Sequence, residues 1–160
     1  MPDDRPPGMY RNGRLEQALD DGEAFFCRID PEWIEPDGGV APAHIPCPDL
    51  SSNRSKFSEP FYVLYPRERF EKFAVFSFDR VSAPRSVASD EPGGGAPVLY
   101  DVITVHDPEE DNYGHCETRF YRGSERMKPN KVSKGAKKVF RFKMSLALKL
   151  CRASNPNFPD

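Results

Sequence analysis

Imidazole is the side chain best suited to proton transfer near neutral pH, and two of this chain's three histidines bracket a single turn. His106 ends one apolar run and His115 begins the next, with Asp107-Pro-Glu-Glu-Asp-Asn-Tyr-Gly between them. If the runs pair as a hairpin that is symmetric about residues 107–114, the two imidazoles face each other at its mouth, where cross-strand Cβ atoms lie ~4.5–5.5 Å apart. Alternation along the second run then puts His115, Glu117, Arg119 and Tyr121 on one face and Cys116, Thr118 and Phe120 on the other. A proton-transfer group, a carboxylate and a guanidinium fork form an inventory for phosphoryl chemistry, with Arg119 binding phosphate. Two imidazoles working as acid and base, with Glu117 beside them, can cleave a phosphodiester. The same residues also read as a solvated cross-strand ladder on an exposed sheet face.

Residues 51–58, Ser-Ser-Asn-Arg-Ser-Lys-Phe-Ser, concentrate hydroxyls and two cations, so Arg54 and Lys56 are further candidate phosphate ligands. The segment lacks the glycines of a phosphate-wrapping loop and reads equally as a polar capping loop. His44-x-x-Cys47 with His106 and His115 offers soft ligands, but no second short-spaced pair exists, so no metal site is assigned and no cofactor is expected. Arg28 on an early strand, Ser51 or Ser52 in a central loop and Glu117 on a later strand resemble the order of an ADP-ribosyltransferase-type site. The glycine and aromatic residues that accompany that order in such families are not recognisable here. The resemblance implies NAD chemistry.

Net charge is −2, yet twelve of the 23 Lys and Arg and one of the 25 acids lie between Arg119 and Arg152, a local balance of +11. Such asymmetry suggests a polyanion partner or an acidic surface folded against a basic one. Lys134, Lys138, Arg141, Lys149 and Arg152, with Ser145, recur at three- and four-residue spacing and form one polar helical stripe able to follow a nucleic-acid backbone.

Positioning these groups requires a scaffold. The apolar fraction of 38% is below the roughly 45–50% usual for globular domains, and 17 prolines in 160 residues are about double the usual ~5% share, so much of the chain is loop. Short aromatic and β-branched runs near 25, 61, 73, 98 and 115 read as strands, although 61–65 is short enough to be a buried helical turn. The segment 133–153 alternates with period two but also carries the helical stripe; its length and its Ala, Leu, Met and Lys content favour a helix with Ser133 as N-cap. A short helix is expected at 13–19, and long loops at 35–58 and 82–97.

The expected architecture is α+β: a mainly antiparallel sheet of about five strands with a C-terminal amphipathic helix packed on one face. A single domain at 13–153 is flanked by a disordered tail at 1–12 and another at 154–160. No signal sequence or apolar span is visible and the four cysteines are widely spaced, so a cytoplasmic protein with free thiols and no membrane association is expected. Three functional readings remain open: binding or cleavage of a nucleic acid or nucleotide phosphate, docking of the basic helix on an acidic protein partner, and ADP-ribosyltransferase-like chemistry.

Overall fold

In a computed structural model, residues 14–89 and 95–151 are described; the expected tails at 1–12 and 154–160, and part of the 82–97 loop, lie outside them. Eight strands form one mostly antiparallel sheet: β1 (Ala24–Ile29), β2 (Leu50–Arg54), β3 (Ala74–Asp79), β4 (Ser86–Ser89), β5 (Val98–His106), β6 (His115–Arg122), β7 (Glu125–Arg126) and β8 (Lys149–Leu150). Their order is β4-β5-β6-β2-β1-β3-β8, with β7 paired to β6. The sheet is therefore larger than the five strands expected, and residues 61–65 fall largely in a 3-10 turn, Pro60–Leu64, not in a strand.

One sheet face, here the inner face, carries Phe25, Cys27, Ile29, Leu50, Phe76, Tyr100, Cys116 and Phe120, all buried. Against it packs α2 (Lys134–Ala147), whose Ala136, Phe140, Met144 and Ala147 point inward; the Phe140 ring meets Phe120 at 5.2 Å, edge to face. Each such aromatic contributes about 1.5–3 kcal/mol by leaving water. Ser133 caps the helix as expected, its hydroxyl accepting the Ala136 N–H at 3.1 Å. The helix ends at Ala147, earlier than the spacing predicts. Leu148 turns into the core, and Lys149 and Leu150 pair with Ser77 and Phe76 as β8, covering the backbone of β3 that would otherwise be an open edge.

The outer face is divided. Over β1 and β3 it is roofed by Pro60–Leu64 and by the short helix α1 (Arg67–Phe70), which bury Phe26 and Val75 in a second, smaller cluster with Val63 and Leu64. Covered on both sides, β3 reads as an almost unbroken apolar run, as strands buried on two faces do. Over β2 and β6 the outer face is polar and open to a cleft.

Residues 14–20 are not the short helix expected. They run as an irregular strap held by long-range bonds: the Arg54 guanidinium donates to the Gln17 and Ala18 carbonyls, and Tyr113 donates its hydroxyl proton to the Leu15 carbonyl at 2.6 Å.

Candidate active site

The floor of the cleft comes from three neighbouring strands. In an antiparallel sheet paired residues share a face, and the register pairs Phe26 with Asn53, Asn53 with His115 and Ser51 with Glu117. Alternation along β1 adds Arg28 to the same face as Phe26. Arg28, Ser51, Asn53 and His115 thus sit side by side although they are far apart in sequence. The strand that joins them is β2, whose sequence Leu-Ser-Ser-Asn-Arg shows no apolar alternation because its outward side chains line the cleft.

The walls complete a cavity of about 360 Å³. Tyr65, Pro66, Arg69 and Phe70 form one side, and Glu109, Asp111 and Asn112 of the turn after β5 form the other. Such a volume falls in the range of small-ligand sites, roughly 300–1,000 Å³. Arg28 is half fixed: its Nη1 donates to the Val63 and Tyr65 carbonyls at 3.2 and 3.0 Å, and the guanidinium carbon lies 3.6 Å from the Phe70 ring centre. Burial, and then the Arg69 charge, lower the Arg28 pKa from its ordinary value.

The turn at 107–114 is tied down from both faces of the sheet. On the outer face, Asn112 and Asn53 exchange side-chain amide hydrogen bonds of 2.8 and 3.0 Å. On the inner face the fully buried Tyr113 ring packs against Phe57 and His106. This anchoring fixes the 107–114 turn and with it the position of His115 at the start of β6.

His115 is 6% exposed. Its Nδ1 lies 2.8 Å from the Asp107 carbonyl oxygen, which can only accept, so Nδ1 bears the proton. In the neutral ring Nε2 then carries a lone pair, and it lies 3.2 Å from the Ser51 hydroxyl. The Asp107 and Glu109 carboxylates stand 3.6 and 3.8 Å from Nδ1, placed to stabilise an imidazolium. A hydroxyl, a base and an orienting acceptor are in line, the geometry of an activated nucleophile.

Glu117 and Arg119 lie beside the cleft in a charge network. Glu117 Oε1 accepts from Arg126 Nη2 at 2.6 Å and is 3.6 Å from Arg119 Nε, while Arg119 Nη2 is 3.3 Å from Asp107. Burial raises the Glu117 pKa, helped by the neighbouring Asp49 and Asp107 carboxyls, against the opposing pull of Arg119. Burial alone would lower the Arg119 pKa; the neighbouring Tyr121 hydroxyl and the Glu117 and Asp107 carboxylates outweigh that and the pKa is raised. Arg119 and Arg126 belong to the basic segment, so part of its charge is neutralised within the fold.

Several expected groups lie elsewhere. His106 does not face His115: the register pairs it with Cys116, one residue out of the symmetric alignment, so the two imidazoles project to opposite faces. Its ring is sealed inside, Nδ1 accepting the Gln17 N–H at 2.8 Å and Nε2 donating to the Tyr113 carbonyl at 2.6 Å. Burial lowers its pKa. Arg54 is fully buried in a two-pronged pair with Glu23 at 2.7 and 2.8 Å, which leaves it no phosphate to meet. Burial works against the Glu23 carboxylate, but the Arg54 bonds prevail and its pKa is lowered. Lys56 pairs with Asp20 at 3.7 Å, outside the cleft.

The polar stripe is also interrupted. Lys134 and Lys138 are exposed on α2, but Arg141 donates to the Ile45 carbonyl at 2.8 Å, Lys149 is on β8, and Arg152 lies outside the described residues. Because Phe140 and Met144 turn inward, Phe142 and Leu146 stand outward, 58% and 72% exposed. Among the described residues no three His, Cys, Asp or Glu side chains gather as metal ligands, and no helix is long and apolar enough to cross a membrane. Burial pushes the Cys27, Cys47 and Cys116 thiols up to about 12, which leaves them poor nucleophiles.

The sequence pointed to His115, to Arg28 and to Ser51 or Ser52, but not to Asn53, Asn112 or Arg69. Asn112 lies in the turn between the two proposed strands, and nothing local ties it to Asn53, 59 residues away. No protein-family model, curated protein or solved structure matches this chain.

Proposed function

We propose that this protein is an enzyme acting on a nucleotide phosphate held in the outer-face cleft, with His115 as the proton-transfer group. The observation that carries this reading is the pairing of His115 Nε2 with the Ser51 hydroxyl at 3.2 Å, in a cleft that Arg28 and Arg69 also line. Guanidinium groups suit phosphate oxygens. His106, Arg54 and Lys56 have no part in it. Calorimetric titration with ADP tests the binding half. Saturable binding is expected, weakened about tenfold or more by Arg69→Ala, as loss of a charge-assisted hydrogen bond of about 1.5–3 kcal/mol implies. Absence of binding, or equal binding by the variant, rejects the reading.

A second reading, ADP-ribosyltransferase-like cleavage of NAD, is favoured by one specific observation. Arg28, Ser51 and Glu117 belong to the adjacent strands β1, β2 and β6, and Ser51 is paired with Glu117. In this reading Glu117 contacts the ribose. Release of nicotinamide from NAD by the wild type, abolished in Glu117→Gln, supports it; no release by the wild type rejects it.

A further inference from the structure

We propose that Ser51 is a covalent nucleophile, activated by His115, and that the cleft works through a phosphoryl-serine intermediate. This rests on the cleft being the active site, and it adds a step that phosphate binding does not require.

Strand β2 carries two adjacent serines, and the fold distinguishes them sharply. Ser52 is 4% exposed, and its hydroxyl is buried without a hydrogen-bond partner. Ser51 is exposed and lines the cleft, with the lone pair of His115 Nε2 3.2 Å from its oxygen. A serine hydroxyl is a weak nucleophile until an adjacent base removes its proton, and that base must itself be oriented by a third group. The Asp107 carbonyl does this at 2.8 Å, and the Asp107 and Glu109 carboxylates beside it favour the imidazolium that forms. His115 is held by β6 on one side and by the Asn53–Asn112 latch on the other. The base therefore rests on rigid elements, as a preorganised site requires.

The chemistry balances with water as co-reactant. Ser51 Oγ bonds to the phosphorus of a phosphodiester while Nε2 takes the hydroxyl proton. The bond from phosphorus to the leaving alcohol breaks, and the imidazolium returns that proton to the departing oxygen. Water then attacks this phosphorus, which still carries the substrate's other ester group, giving its proton to Nε2, and a phosphomonoester is released. The bond to Ser51 breaks, and Oγ recovers a proton from the imidazolium. Arg28 and Arg69 lie on the cleft wall where negative charge builds on the phosphoryl oxygens.

Diisopropyl fluorophosphate is the probe, because its phosphorus accepts a serine oxygen with loss of fluoride and stops at the stable adduct. Peptide mapping of the wild-type protein by mass spectrometry is expected to locate the adduct on Ser51. Ser51→Ala removes it, and His115→Gln slows its formation by about 100-fold or more, the low end of general-base catalysis. Thermal melts of both variants report whether they fold, and the wild-type map stands without either. No adduct, an adduct on another serine, or one whose rate is unchanged in folded His115→Gln overturns the proposal. ADP binding separates the two ideas. An adduct on Ser51 without nucleotide binding leaves the nucleophile standing and removes the nucleotide, whereas nucleotide binding with an unmodified Ser51 does the reverse.

Discussion

Replacing Asn112 by Ala breaks the latch between the 107–114 turn and the sheet, and the two ends of that latch are not equivalent. Asn53 is 5% exposed, so without Asn112 its amide loses both partners and gains little water. Two net hydrogen bonds at about 0.5–1.5 kcal/mol each, plus a stranded buried amide at about 1–3 kcal/mol, put the cost of Asn112→Ala at about 2–6 kcal/mol. Asn112 is only half-buried, so Asn53→Ala leaves a partner that water can satisfy, and it costs only the two net hydrogen bonds, about 1–3 kcal/mol. In the double variant nothing is stranded, and its cost approaches that of Asn53→Ala alone, so the coupling is as large as the cost of Asn112→Ala itself, about 2–6 kcal/mol. Urea unfolding followed by far-ultraviolet circular dichroism measures all four corners of the cycle. For a chain of this size Asn112→Ala lowers Tm by about 4–24 °C, at about 2–4 °C per kcal/mol. Equal costs for the two single variants, or strict additivity, refutes the claim that burial makes the latch one-sided.

Three further outcomes follow from the same geometry. Glu23→Ala leaves the fully buried Arg54 charge unpaired and should cost about 3–5 kcal/mol in urea unfolding, far more than any exposed ion pair of this protein. His106 has a folded-state pKa below its ordinary value because it is buried, so its contribution is intact above about pH 6.5 and is lost as pH falls through the folded value, where the unfolded chain binds the proton first. Unfolding free energy should therefore fall as pH drops from about 6.5 toward the folded value, and the fall should lessen in His106→Gln; identical slopes reject a buried neutral imidazole. Ser133→Ala removes the α2 cap and should cost about 1 kcal/mol by the same denaturation assay.

Where local pattern and tertiary environment agree, the sequence was enough. β5 and β6 begin and end where their apolar alternation does, and Ser133 caps α2 as its position predicts. β2 was illegible because its outward residues line a cleft and its inward Arg54 is neutralised by Glu23, so no apolar period marks it. β4, Ser86–Ser89, lies in a segment rich in proline and glycine and is a strand only because β5 offers it an edge. β8 looked like the last turn of a helix, since nothing local in Lys149 and Leu150 shows that β3 is within reach. The site suffered from one residue of register. Symmetric pairing about the turn would have set His106 against His115, but the pairing with Cys116 sends one imidazole into the core and the other into the cleft.

In the proposed site His115 holds Nδ1 protonated and turns an unprotonated Nε2 toward the cleft, where ligand meets it. Long-range ¹H–¹⁵N correlation of the imidazoles during titration with ADP tests this most directly. At a pH where the ring is neutral, His115 should show the Nδ1–H tautomer, and its Nε2 signal should move as ADP is added while that of His106 stays fixed. An Nε2–H tautomer, or a His115 signal indifferent to saturating ADP, would contradict the account.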